Sequence, residues 1–141
     1  MKNKVKKVVH ILFRAFTLPL YTYYLFGLLF FEERRNFSNM MQACSLFPGA
    51  FGEWIRKSIL EWITKVNLID STIGFLTTFS DPRIKIGNGV YIGPKCDIGY
   101  VEIGKYTLIG TGVHIISGTK QHFFFQIGYP NKRAGWGFKK K

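Results

Sequence analysis

Acidic residues are scarce in this chain: 8 Asp and Glu stand against 20 Lys and Arg, leaving a formal net charge of +12 across 141 residues. Such an excess favours anionic partners over acid-loving ones, and lipid headgroups, nucleic acid and phosphorylated ligands are the classes it admits. Cysteine is nearly absent. Cys44 and Cys96 lie far apart without metal-ligand spacing, which argues against a disulfide framework or a zinc site. No P-loop, dinucleotide fingerprint or zinc signature occurs, so nothing in the motifs indicates a nucleotide or metal enzyme. The high polarity of a disordered chain is missing as well: 47% hydrophobic residues are too many for one. At this length one domain with a modest core is expected.

What is present falls into segments. Residues 1–44 read as an N-terminal membrane-associated helical segment. Lys2, Lys4, Lys6 and Lys7 open it, and "AFTLPLYTYYLFGLLFF", residues 15–31, follows without a charge. Seventeen apolar positions are at the short edge of a membrane span. His10, Arg14 and Pro19 interrupt a longer one, and no small-residue cleavage site follows, as a signal peptide would need. Tyr21, Tyr23 and Tyr24 suit the headgroup layer. The expectation is an anchor through residues 1–31, either interfacial or spanning, with a buried core helix pair as the alternative. The basic start favours the cytoplasmic face of the cell membrane, and an interfacial anchor keeps the rest of the chain there.

Residues 45–67 form a lead-in helix. Ile55, Ile59, Trp62, Ile63 and Val66 recur at helical spacing, while Arg56, Lys57 and Lys65 lie off that stripe. A helix packed on the next unit is the simpler reading of this stripe, with Trp54 and Trp62 as candidates for membrane contact.

Residues 68–122 carry a repeat. Ile86, Ile92, Ile98, Ile103 and Ile109 are each followed by glycine, at intervals of six, six, five and six residues. Period six fits neither an ordinary helix nor a hairpin strand and marks a parallel β-helix with three short units per turn. The spacing expects Ile86 beneath Ile103, Ile92 beneath Ile109 and Ile98 beneath Ile115, with a trimmed corner at Tyr100 to Glu102. Val90, Cys96, Thr107, Val113 and Thr119 fall at a tight inner corner and are small or β-branched. An earlier, rougher turn begins at Ile73-Gly74 and includes Thr77 and Phe79. The resulting expectation is a mainly β fold with N-terminal helices. In this reading residues 123–141 are an atypical basic tail, in which the repeat lapses apart from Ile127-Gly128.

These hexads resemble those of the hexapeptide-repeat acyltransferases, whose fold is a short left-handed parallel β-helix; the likeness covers about residues 47–122. "GVHIISGTKQH", residues 112–122, looks like the segment leading to the catalytic histidine of maltose and galactoside O-acetyltransferases, two residues longer here before the second histidine. Anchor, lead-in helix and hexads together resemble the sugar O-acetyltransferases of surface-polysaccharide biosynthesis. The resemblance implies a homotrimer that moves an acetyl group from acetyl-CoA, the co-substrate, to a hydroxyl of a sugar or glycan precursor. It also implies histidine general-base catalysis, for which an imidazole is suited because it titrates near neutrality.

His122 is the first candidate base and His114, which should point outward, the second or an orienter. His10 in the anchor reads as structural, and Cys96 in its corner slot as a packing residue rather than a nucleophile. No carboxylate adjoins either candidate in sequence, so Asp97 and Glu102 could approach only through the fold. No metal and no nucleic acid are expected. The alternative expectation is a truncated, catalytically incomplete family member, acting at most as a membrane- or partner-binding module.

Overall fold

The apolar run at residues 15–31 does not form one helix. In the computed structural model, which describes residues 1–117, it is split between α1 (Lys2–Phe16) and α2 (Leu18–Gly27). Thr17 ends the first helix, its hydroxyl donating back to the Phe13 carbonyl at 2.8 Å. Pro19 sits in the first turn of the second, where a missing N–H costs nothing, whereas inside one continuous helix it would remove a hydrogen bond. No helix among the described residues is long and apolar enough to cross a membrane, which overturns the spanning version of the anchor.

Two further helices follow, α3 (Glu33–Ser45) and α4 (Gly49–Thr64). Helix α3 buries Phe37, Met40, Met41 and Cys44 along one face. Helix α4 buries Ile55, Ile59 and Leu60 and ends where Lys65 adopts the left-handed conformation, at φ 63°.

The remainder is a succession of two-residue strands: β1 (Thr72–Ile73), β2 (Thr78–Phe79), β3 (Lys85–Ile86), β4 (Tyr91–Ile92), β5 (Asp97–Ile98), β6 (Glu102–Ile103), β7 (Leu108–Ile109) and β8 (His114–Ile115). Every third strand pairs, always in parallel, giving the ladders β1-β4-β7, β2-β5-β8 and β3-β6. The expected partners meet: Ile86 opposite Ile103, Ile92 opposite Ile109 and Ile98 opposite Ile115, with Ile73 opposite Ile92 before them. In β1 to β7 the second residue of each strand is buried, and the first is half-buried or exposed.

The expected fold class is nevertheless corrected. The chain is not mainly β, and it is not the short left-handed parallel β-helix of the expectation. Its helices hold 15, 10, 13 and 16 residues against two in each strand, and the strands make three separate short ladders rather than a closed or helical sheet. The physical reason lies in the repeat itself. A six-residue unit devotes most of its length to turns, so the Ile-Gly period reports stacking without reporting strand content. Beside it stands a helical layer whose buried face is continuous with the ladder core, from Phe37 and Met41 through Ile59 and Leu68 to Ile73 and Ile98.

The helices meet the ladders through polar chemistry as well as apolar contact. Along the ladders each strand donates its N–H groups to the carbonyls of the next, as Thr72 does to Val90 and Tyr91 to Thr107, both at 2.9 Å. The carbonyls of residues 71 and 73 therefore face backward, toward α4. Lys57 Nζ donates to the Ser71 carbonyl at 2.9 Å, and Arg56 donates to the Ile73 carbonyl from Nε at 3.2 Å and Nη2 at 3.1 Å. At the turns the sense reverses: Lys95 N donates to Phe75 O, Gly112 N to Pro94 O, and Leu76 N to the Ser45 carbonyl at the end of α3. The helical layer thus supplies both the donors and the acceptor that a preceding strand layer would have supplied.

Candidate functional site

Ladder β2-β5-β8 aligns Thr78, Asp97 and His114 in one column, because Thr78 pairs with Asp97 and Asp97 with His114. Each is the first residue of its strand, the position that points away from the core, so all three share one face. Paired positions on adjacent strands project side by side, about 4.8 Å apart, and here no hydrogen bond or ion pair joins Asp97 to His114. Thr78 Oγ1 donates to Asp97 Oδ1 at 3.0 Å, fixing the carboxylate from the other side. Asp97 and His114 are both exposed, so an acceptor hydroxyl has access to the pair.

Of the residues named from sequence, His114 thus faces outward as expected and gains a carboxylate neighbour 17 residues back. His122, the first candidate base, lies outside the described residues. Glu102 belongs to a different ladder, where it pairs with Lys85 at 3.3 Å on an exposed face, and it does not join His114. Sequence reasoning left out Thr78. The signal that would have found it was the register: Phe79 stacks with Ile98, so the residues preceding them must also align.

His10 occupies a structural joint. Its Nε2 lies 2.6 Å from Glu61 Oε2, while the other oxygen of that buried carboxylate accepts the Leu68 N–H at 2.5 Å. Cys96 is buried in the corner slot, with Sγ 3.1 Å from the Gly110 carbonyl, as suits a packing thiol. Burial pushes the Cys44 thiol up to about 11, with nearby Arg56 pulling weakly the other way. No cluster of three metal-ligating side chains occurs among the described residues.

A second charged cluster fastens α3 to the ladders. Asp81 is buried and accepts from Arg83 Nε at 2.9 Å and Nη2 at 2.6 Å, with Arg34 of α3 at 3.3 Å. Hydrogen bonds from Arg83 hold the Asp81 carboxyl below the usual carboxylate range, against the opposing effect of burial. The cluster is internally satisfied and reads as a structural tie.

Comparison with protein-family models, with curated proteins and with solved structures returned no match.

Proposed function

We propose that the chain is an O-acetyltransferase that moves an acetyl group from acetyl-CoA to a hydroxyl of a sugar or glycan precursor, with His114 as general base. The observation that carries the reading is the alignment of Asp97 with His114 on one exposed ladder face. A base of this kind needs a partner that fixes its ring and stabilises the imidazolium formed when it takes a proton; Asp97, held by Thr78 and aligned with His114, is the residue proposed for that role. In the proposed reaction the acceptor hydroxyl passes its proton to His114, its oxygen bonds to the acetyl carbonyl carbon, and the carbon–sulfur bond breaks to release the CoA thiolate. The imidazolium then returns the proton to that sulfur. Acetyl-CoA is the co-substrate, a homotrimer the proposed assembly, and the cytoplasmic face of the cell membrane the proposed place of action. The hexad likeness of residues 86–115 supports the reaction class.

The test is release of free thiol from acetyl-CoA across a panel of sugar acceptors. His114→Ala should lower kcat by about 10²–10⁴-fold, the usual contribution of a positioned base. Asp97→Asn should lower kcat with little change in the KM for acetyl-CoA. Equal thiol release by the wild type and by His114→Ala would remove His114 from the role. In that event loss in His122→Ala alone would transfer it to His122.

A further inference from the structure

Helix α1 is amphipathic in the wrong sense for a helix that packs by its apolar face. Its inward side is largely polar: Lys6 Nζ reaches Asp70 at 2.9 Å, His10 reaches Glu61, and the Arg14 guanidinium lies 4.3 Å from the centre of the Trp62 ring, with Phe13 the apolar residue that packs among them against Trp54. Its apolar side is turned outward. Val5, Val8, Leu12 and Phe16 recur three or four residues apart, as one helical stripe does, and all four are more than half exposed. No residue of α1 is fully buried. An outward apolar stripe on a helix pinned by its charges needs a partner that removes it from water.

The stripe continues beyond its own helix. Phe16 stands 5.9 Å from Phe51 of α4 and Phe51 stands 6.3 Å from Phe47 just before it, ring centre to ring centre. Phe47 and Phe51 are exposed too, so the aromatic surface runs on from α1 to the corner between α3 and α4. Lys2, Lys4 and Lys7 stand exposed on α1, and the chain has no acidic residue before Glu32.

We infer that this composite surface docks, in the plane of the interface, on a bilayer carrying anionic headgroups. Its chemistry is that of an interfacial helix, with apolar side chains entering the acyl boundary and lysines meeting headgroup phosphates. Charge selects the occupant. A second copy docked through the same face would bring two sets of lysines together, whereas an anionic lipid surface neutralises them. The inference uses none of Thr78, Asp97 or His114 and stands independently of acetyl transfer.

Flotation of the purified full chain with phosphatidylglycerol-containing vesicles and with pure phosphatidylcholine vesicles tests it. The chain should float with the anionic vesicles, bind the neutral ones far less, and come off as salt is raised. Leu12→Glu with Phe16→Glu should weaken partitioning about a hundredfold, since two apolar side chains are lost from the buried set. Both positions are exposed, and an unchanged urea midpoint would verify that this variant is folded. Lys2→Gln with Lys4→Gln and Lys7→Gln should abolish the preference for anionic over neutral vesicles. Wild-type protein that stays at the bottom of the gradient overturns the inference, as does a folded double variant that floats like wild type. A concentration-dependent dimer in sedimentation velocity that the double variant loses, without vesicle binding, would assign the face to a second copy instead.

Discussion

Arg56 grips the carbonyl oxygen of Ile73 with two arms of its guanidinium, Nε at 3.2 Å and Nη2 at 3.1 Å, while Nη1 donates to the Phe47 carbonyl at 2.7 Å. Three hydrogen bonds to neutral acceptors hold a cation that is 1% exposed. Desolvation pulls its pKa down, with Glu53 pulling the other way. Its task here is to complete the backbone hydrogen bonding of a strand that has no strand before it.

The first prediction concerns that joint. Arg56→Met keeps most of the side-chain volume but leaves the Ile73 and Phe47 carbonyls without these donors. An orphaned buried carbonyl costs about 1–3 kcal/mol, so the variant should lose stability on that order for Ile73, and less for Phe47, which is exposed and open to water. Lys57→Met should cost less, because only the Ser71 carbonyl loses a donor and Glu53, itself 28% exposed, can turn to water when its partner goes. Urea unfolding checks both: the midpoints should fall in the order wild type, Lys57→Met, Arg56→Met, with unchanged slopes. Equal midpoints would show that water serves those carbonyls as well as the cations do.

A second prediction contrasts two glycines of the same repeat. A Cβ on Gly87 would sit 2.5 Å from the Lys105 nitrogen and 2.8 Å from the Gly104 carbonyl carbon, both backbone atoms of the adjacent strand layer. A Cβ on Gly104 would meet, among the described residues, only the Thr107 hydroxyl oxygen at 3.7 Å, an ordinary contact. Gly87→Ala should therefore cost about 1–3 kcal/mol through forced backbone displacement. Gly104→Ala should be neutral or stabilising by about 0.4–1 kcal/mol through a less free unfolded chain. Thermal melts of the two single variants decide it.

The third prediction is a pH dependence. The folded Asp81 carboxyl titrates below its unfolded value, chiefly because Arg83 donates to it. Stability from this group is thus fully present above the unfolded value of about 3.9 and is lost as pH falls through the folded value. Asp81→Asn should be less stable than wild type at neutral pH, and the gap should narrow once the pH drops below about 4. Urea midpoints between neutral and strongly acid pH measure this. A gap that holds constant through acid would assign the cost of the variant to geometry rather than charge.

A fourth prediction concerns thiol chemistry. With Cys44 pushed up to about 11 and buried, its thiolate is scarce at neutral pH. The Cys96→Ser variant, in which Cys44 is the remaining cysteine, should react with a thiol-specific disulfide reagent only after addition of denaturant. Rapid labelling of that variant in buffer would show that the α3–α4 layer opens readily.

Much of the register was legible before the fold. The Ile-Gly period placed Ile92 opposite Ile109 and located the shortened turn after Ile98, because inward side chains stack on those one turn before; the earlier turn, from Ile73 to Ile92 and Phe79 to Ile98, is two residues longer. Fold class was not legible in the same signal. Two-residue strands leave the hydrophobic period intact while contributing little β structure, and α3 hides behind the charged opening "EERRN" and polar buried positions such as Asn36 and Ser45.

Amphipathicity of α1 was likewise readable, but the side it turns inward was not. Lys6 and His10 find acids 64 and 51 residues away, and only the folded chain shows that those partners exist. The candidate site followed the same logic. His114 could be pointed outward from its place before a leader isoleucine, yet its neighbour Asp97 is close only through a parallel pairing.

The cations of α4 and the Ser45 carbonyl of α3 have one more effect, on how copies of the chain can meet. A bare parallel edge recruits further strands, and repetition of that step builds filaments. Here the leading edge is stoppered, so no incoming backbone finds a free carbonyl at Ser71 or Ile73. Growth of a fibre requires two sticky ends per unit, and a unit plugged on one side terminates whatever it joins.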